Sequence, residues 1–134
     1  MKRIILSFTL IVLGIITNNA QTANKETPVA ASDKIEAYYF HFNARCETCR
    51  AVESEAKADI LSLYPGRATF KAINLDETSS KAIAEKLKVS GQTLLIVKGD
   101  KQINLTNEGF LYATTNPDKL KKVIKQKVDV LLDL

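Results

Sequence analysis

The sequence predicts an α/β chain: one domain built on a small mixed sheet with helices on both faces. Three observations predict it. Ile35 to Phe42 and Thr93 to Lys98 are nearly continuous apolar or β-rich runs, as expected of strands covered on both faces. Segments with apolar residues at helical spacing alternate with these runs. Gly99-Asp100 is a tight reversal between two β-rich stretches, so one strand pair is expected to be an antiparallel hairpin. The order read along the chain is β-α-β-α-β-β-α.

The first segment reads as an address. Lys2 and Arg3 precede an apolar run from Ile4 to Ile16, followed by the polar Thr17-Asn18-Asn19-Ala20-Gln21. That run is long enough for a signal-peptide core and short for a membrane span. Residues 1–20 are therefore expected to be a signal peptide cleaved after Ala20, an uncleaved anchor being the rival. Residues 21–34, small and polar with Pro28, are expected to be a flexible linker. The domain is assigned to residues 35–134, in a periplasmic or secreted compartment where disulfides persist. A net charge of +4 is spread without a basic block. The lysines at 119, 121, 122, 125 and 127 read as the wet face of a last helix, so no nucleic-acid partner is expected.

Taken in order, Ile35 to Phe42 is the first strand, with Tyr38, Tyr39 and Phe42 expected in the core. Thr48 to Tyr64 carries Val52, Ala56, Ile60 and Leu63 at helical spacing, and Pro65-Gly66 ends that helix. Arg67 to Leu75 alternates, with Ala68, Phe70, Ala72 and Asn74 on one side, and reads as a second strand. Asp76 or Thr78 is expected to cap a short helix that buries Ile83, Ala84 and Leu87. Val89 to Gln92 is a turn, and Lys101 to Thr106 is the hairpin partner of Thr93 to Lys98. Asn107 to Thr115 reads as a loop with an apolar tip at Phe110 and Tyr112, either a rim to the site or a local plug. Asn116-Pro117 is an N-cap followed by proline at the first helical position. Leu120, Val123, Ile124, Val128 and Leu131 then form the buried stripe of the last helix.

The chemistry-bearing motif is Cys46-Glu47-Thr48-Cys49, which holds the chain's two cysteines at the first strand-to-helix junction. Unpaired N–H groups at a helix start favour a thiolate on the first sulfur. The second sulfur lies within one turn, in reach of a mixed disulfide on the first. Cys46 is thus expected to attack and Cys49 to resolve, with no cofactor beyond a redox-active Cys46–Cys49 disulfide. Arg45 and Arg50 are expected to favour the Cys46 thiolate and Glu47 to oppose it, a balance that suits a reductant or neutral carrier. Thr48 completes the motif, and His41 is either a proton relay, a third metal ligand or a packed strand-end histidine. A static disulfide is the structural alternative, but it would close a loop too small to stabilise much.

At these residues the chain resembles the thioredoxin-like superfamily, from Ile35 to the C-terminus, on Cys46-Glu47-Thr48-Cys49 and on Val89 to Lys98. More narrowly, the stretches Arg45–Arg50, Val89–Leu95 and Asn107–Ala113 resemble the ArsF family of small exported proteins, nitrophenyl compound nitroreductase subunits. The resemblance implies a thioredoxin-like domain and a thiol redox role on protein or small-molecule disulfides, supplied by a membrane thiol electron carrier. It also implies that Gly91, Gln92 and Thr93 present backbone groups to the substrate, in a monomer.

Three positions depart from the superfamily pattern: Arg45 replaces a tryptophan, Phe40 a buried carboxylate, and Gln92 a cis-proline. A cis bond before a non-proline residue costs about 3 kcal/mol, so Gly91-Gln92 is expected to be trans. Loss of that proline raises the alternative of a soft-metal or arsenical binding module using Cys46, Cys49 and His41. A redox-inactive adaptor of the same fold is the other.

Overall fold

The computed structural model describes residues 34–134, so the expected signal peptide (1–20) and all but the last residue of the expected linker (21–34) lie outside the described residues. No helix among the described residues is long and apolar enough to cross a membrane. The elements are β1 (Ile35–His41), α1 (Glu47–Leu63), β2 (Ala68–Asn74), a 3-10 turn (Thr78–Ser80), α2 (Lys81–Lys86), β3 (Thr93–Lys98), β4 (Lys101–Asn104), α3 (Thr106–Tyr112) and α4 (Pro117–Leu132).

The sheet order is β2-β1-β3-β4. β1 runs parallel to β2 and antiparallel to β3, and β4 returns antiparallel beside β3. The two central strands explain the continuous apolar runs. Ile35, Ala37 and Tyr39 of β1 join Leu94 and Ile96 of β3 on one face, packed with residues of α1, α3 and α4. Tyr38 and Phe40 join Leu95 and Val97 on the other, under Ala84 of α2 and its C-cap Leu87. Alternation by two along a strand thus feeds two cores at once. Gly99 turns the hairpin at φ +58°, a conformation that favours glycine.

Several local expectations change. Asn107 to Thr115 is not a loop: α3 occupies Thr106–Tyr112. Asn104 Oδ1 accepts from both the Thr106 N–H and its hydroxyl, which starts that turn, and Gly109 packs inside it as a buried residue. β4 accordingly stops at Asn104 rather than Thr106. Phe110 and Tyr112 pack against the main core, which makes them the plug rather than a rim. Neither Asp76 nor Thr78 caps the short helix, because the Asp76 carboxylate instead accepts from the Asn43 N–H at 2.6 Å. Finally, Phe42 lies beyond the end of β1 and is 36% exposed, and Ala72 is exposed on the edge strand β2.

The cap of the last helix is as expected: Asn116 Oδ1 accepts from the Lys119 N–H, with Pro117 at the first helical position. α1 and its C-cap Tyr64 are tied to α4 by several polar contacts, among them Lys121 with Asp59 and Tyr64 with Asp129. Tyr64 donates its hydroxyl to Asp129 Oδ1 at 2.7 Å, and Asp129 also pairs with Lys125. Burial and then this bond push the Tyr64 phenol above its ordinary range. Lys125, then Tyr64, hold the Asp129 carboxyl below its ordinary range. A carboxyl lowered in the fold lends stability above its unfolded pKa and loses it as pH falls through the folded one. Removing the hydrogen bond of the buried Tyr64 hydroxyl, Tyr64→Phe should cost about 1 kcal/mol at neutral pH. It should also flatten the loss of stability below about pH 4, near the unfolded carboxylate value. Urea denaturation of both chains at pH 7 and pH 3 checks this, and equal acid sensitivity of the two would refute it.

Candidate functional site at the Cys46–Cys49 disulfide

Cys46 is the N-cap of α1, extended at φ −76° and ψ 166°, and Cys49 lies three residues on. The two are disulfide-bonded, with Cα atoms 5.0 Å apart. Each sulfur faces the other residue's backbone: the Cys49 N–H donates to Cys46 Sγ at 3.1 Å, and the Cys46 N–H to Cys49 Sγ at 3.2 Å. Cys46 thus takes the place that serine or threonine holds in an ordinary capping box, and Cys49 that of the glutamate or glutamine three residues on. Cys46 is exposed, whereas Cys49 is only 4% exposed. One sulfur is open to a partner and the other is covered. An N–H aimed at Cys46 Sγ also suits a negative charge there once the bond is reduced.

The neighbours divide. Arg45 is half-buried, pairs with Glu53 one helical stretch away, and sits 5.9 Å from the Tyr39 ring centroid. Its charge is largely offset by Glu53, so the expected contribution to the thiolate shifts toward Arg50, which is exposed one turn into the helix. Glu47 is exposed at the first helical position, beside Cys46, and Thr48 is half-buried. Tyr39 Oη and Arg45 Nε are buried with no hydrogen-bond partner among the described residues. Burial raises the Tyr39 phenol, against the pull of Arg45, and keeps it neutral.

His41 is not brought to the cysteines as a third ligand. Its Nδ1 lies 3.1 Å from the Phe42 carbonyl oxygen, placed to donate to it, and its ring lies 6.2 Å from that of Tyr39. Among the described residues no group of three or more His, Cys, Asp or Glu side chains gathers around a point that would hold a metal. Phe40 is fully buried in the second core, so no carboxylate lies at that strand position.

Gln92 is the residue that meets the dithiol from across the fold. Its Oε1 stands 3.8 Å from Cys49 Sγ. No peptide bond among the described residues is cis, so the Gly91-Gln92 link is trans, as the missing proline leads one to expect. Thr93 is buried and donates its hydroxyl to the Gly91 carbonyl at 2.9 Å, which fixes the bend before β3. From Gln92 a cleft of about 540 Å³ opens away from the cysteines, along Leu87 to Thr93 and across to Gln102 and Asn104.

Sequence reasoning missed the loop that carries Cys46. Asn43 donates its N–H to Asp76, and Asn74 donates to Asn43 Oδ1 at 2.8 Å. The loop after β1 is therefore tied to the loop after β2. The available signal was one Asx residue two positions past each strand, Asn43 and Asp76, a pattern typical of side-chain-stabilised turns.

No protein-family model and no curated protein matches the chain. Solved structures do. The germline-specific thioredoxin Deadhead of Drosophila melanogaster is similar at 22% identity, over 72% of this chain and 84% of that one, with a TM-score of 0.47. Fasciola hepatica thioredoxin is similar at 18% identity, over 72% of this chain and 83% of that one, with a TM-score of 0.47. Trxlp of Edwardsiella tarda superposes with a TM-score of 0.50 at 19% identity, over 69% of this chain and 84% of that one. Together with the β2-β1-β3-β4 sheet and helices on both of its faces, the last likeness makes this a single thioredoxin-like α/β domain.

Proposed function

We propose that the chain is an exported thiol–disulfide oxidoreductase or thiol electron carrier that works through Cys46 and Cys49. One observation carries the reading: the pair is bonded at a helix N-cap with Cys46 exposed and Cys49 covered. A structural bridge has no need of that asymmetry, and its three-residue separation would stabilise the fold little. In the reaction, the Cys46 thiolate attacks one sulfur of a substrate disulfide and expels the other as a thiolate. Cys49 then attacks Cys46 Sγ, releases the substrate's second thiolate and closes the Cys46–Cys49 bond. Two electrons pass to the substrate, and in this reading a membrane thiol carrier, of the kind the resemblance implies, restores the dithiol.

Gly91, Gln92 and Thr93 would align the substrate backbone beside the cysteines. The Gln92 amide offers a donor or an acceptor to Cys49, whichever its protonation state requires. Export by a cleaved segment of residues 1–20 and function as a monomer belong to the same reading. The rival soft-metal module would have two thiolates and, among the described residues, no third side-chain ligand near them.

Equilibration of the full chain against graded glutathione buffers, read by mass spectrometry of alkylated cysteines, tests the proposal. A reversible two-electron transition within roughly −120 to −270 mV is expected. A pair that stays oxidised throughout would instead make the bond structural, and retention of a metal by the reduced chain would favour the module.

A further inference from the structure

The face of α1 that leads away from Cys46 is basic. Arg50, Ser54 and Lys57 recur at helical spacing and, with Arg45 and Glu53, line a groove of about 290 Å³. Arg45 and Glu53 pair with each other, so their charges cancel. Arg50 and Lys57 are exposed, and among the described residues neither side chain has a hydrogen-bond or ion-pair partner. The groove therefore carries two uncompensated positive charges. At a rise of 1.5 Å per residue they stand about 6 and 16 Å along the axis from Cys46. Glu47 is the opposing charge at the near end, beside Cys46 itself, while Glu55 projects from another side of the helix.

We infer that this groove selects disulfide substrates with acidic residues beside the scissile cysteine. The inference rests on the exchange reading above and names its substrate class. A peptide whose cysteine meets Cys46 would lay its next residues along α1. Carboxylates there would meet Arg50 and then Lys57, while lysines would meet the same charges unfavourably. Such complementarity acts on the encounter rate and weakens as salt screens it.

The test uses the full chain, chemically reduced, in single turnover. Its probes are three peptides of equal length, each with one cysteine in mixed disulfide with 2-mercaptoethanol, flanked by glutamates, serines or lysines. The Cys46 thiolate displaces 2-mercaptoethanol or the peptide thiol, and Cys49 displaces the other and closes the protein disulfide. Each turnover thus reduces one peptide disulfide to two thiols. At low ionic strength the acidic peptide should react about tenfold faster than the basic one. In about 0.5 M salt that ratio should fall below about threefold. Lys57→Gln should lower the ratio of acidic to neutral rates, whereas Lys86→Gln, on α2 across the sheet, should leave it unchanged. A chain that reacts with all three peptides at equal rates overturns the inference alone. A chain inert to all three overturns the exchange reading and the inference with it.

Discussion

Replacing Cys46 with serine should abolish disulfide exchange, a loss of about 1000-fold or more, because no thiolate remains at the exposed helix cap to attack. Cys49→Ser should behave differently. The first attack survives, since Cys46 keeps its exposure and its place at the first turn of α1. The reaction should then stop at the mixed disulfide, because the covered sulfur that would displace the substrate is gone. Intact-mass measurement of each variant after incubation with a disulfide substrate reads the difference directly. An adduct on Cys49→Ser and none on Cys46→Ser is expected. The reverse pattern would exchange the roles of the two cysteines, and adducts on neither would remove the exchange reading.

Gly109→Leu should cost about 3 kcal/mol, at the upper end of what overpacking a core costs. A Cβ at Gly109 would already stand 2.9 Å from Val52 Cγ1 and 3.5 Å from Leu94 Cδ2. Val52 and Leu94 are fully buried, one on α1 behind the dithiol and the other on β3, so neither has open space to move into. Alanine is a less decisive probe, because its better helix propensity offsets up to about 1 kcal/mol of the clash. The urea midpoint measures the loss, and Val52→Ala in the same chain should recover about half of it by making room. A loss below about 0.5 kcal/mol would mean that α3 does not press on α1.

Both predictions fall where sequence and structure part company. Strands β1 and β3 were legible because being buried on both faces demands apolar residues at nearly every position, and such a run is visible without any partner. The last helix was legible because Asn116-Pro117 and the stripe from Leu120 to Leu131 are local signals of start and face. α3 was hidden by Gly109, which argues against a helix when its neighbours are unknown. Only the approach of Val52 explains why no larger side chain stands there. The Asp76 cap failed for a similar reason: its carboxylate had a competing donor at Asn43, thirty-three residues away in the chain.

At the site, the spacing of Cys46 and Cys49 and their position after the first strand were enough to expect a bonded pair at a helix start, since both depend on residues within one helical turn. Sequence also gave reason to expect a trans bond before Gln92, because planarity and the cost of a cis link are local properties. The asymmetry between an exposed and a covered sulfur came only with tertiary structure, as did the approach of the Gln92 side chain to Cys49. So did the pairing of Arg45 with Glu53, which moved the uncompensated charge onto Arg50 and Lys57. Periodicity, caps and motif spacing are properties of neighbours along the chain, and this sequence determined them by itself. Burial, charge compensation and close approach are properties of neighbours in space, and only packing of the sheet against its helices decided those.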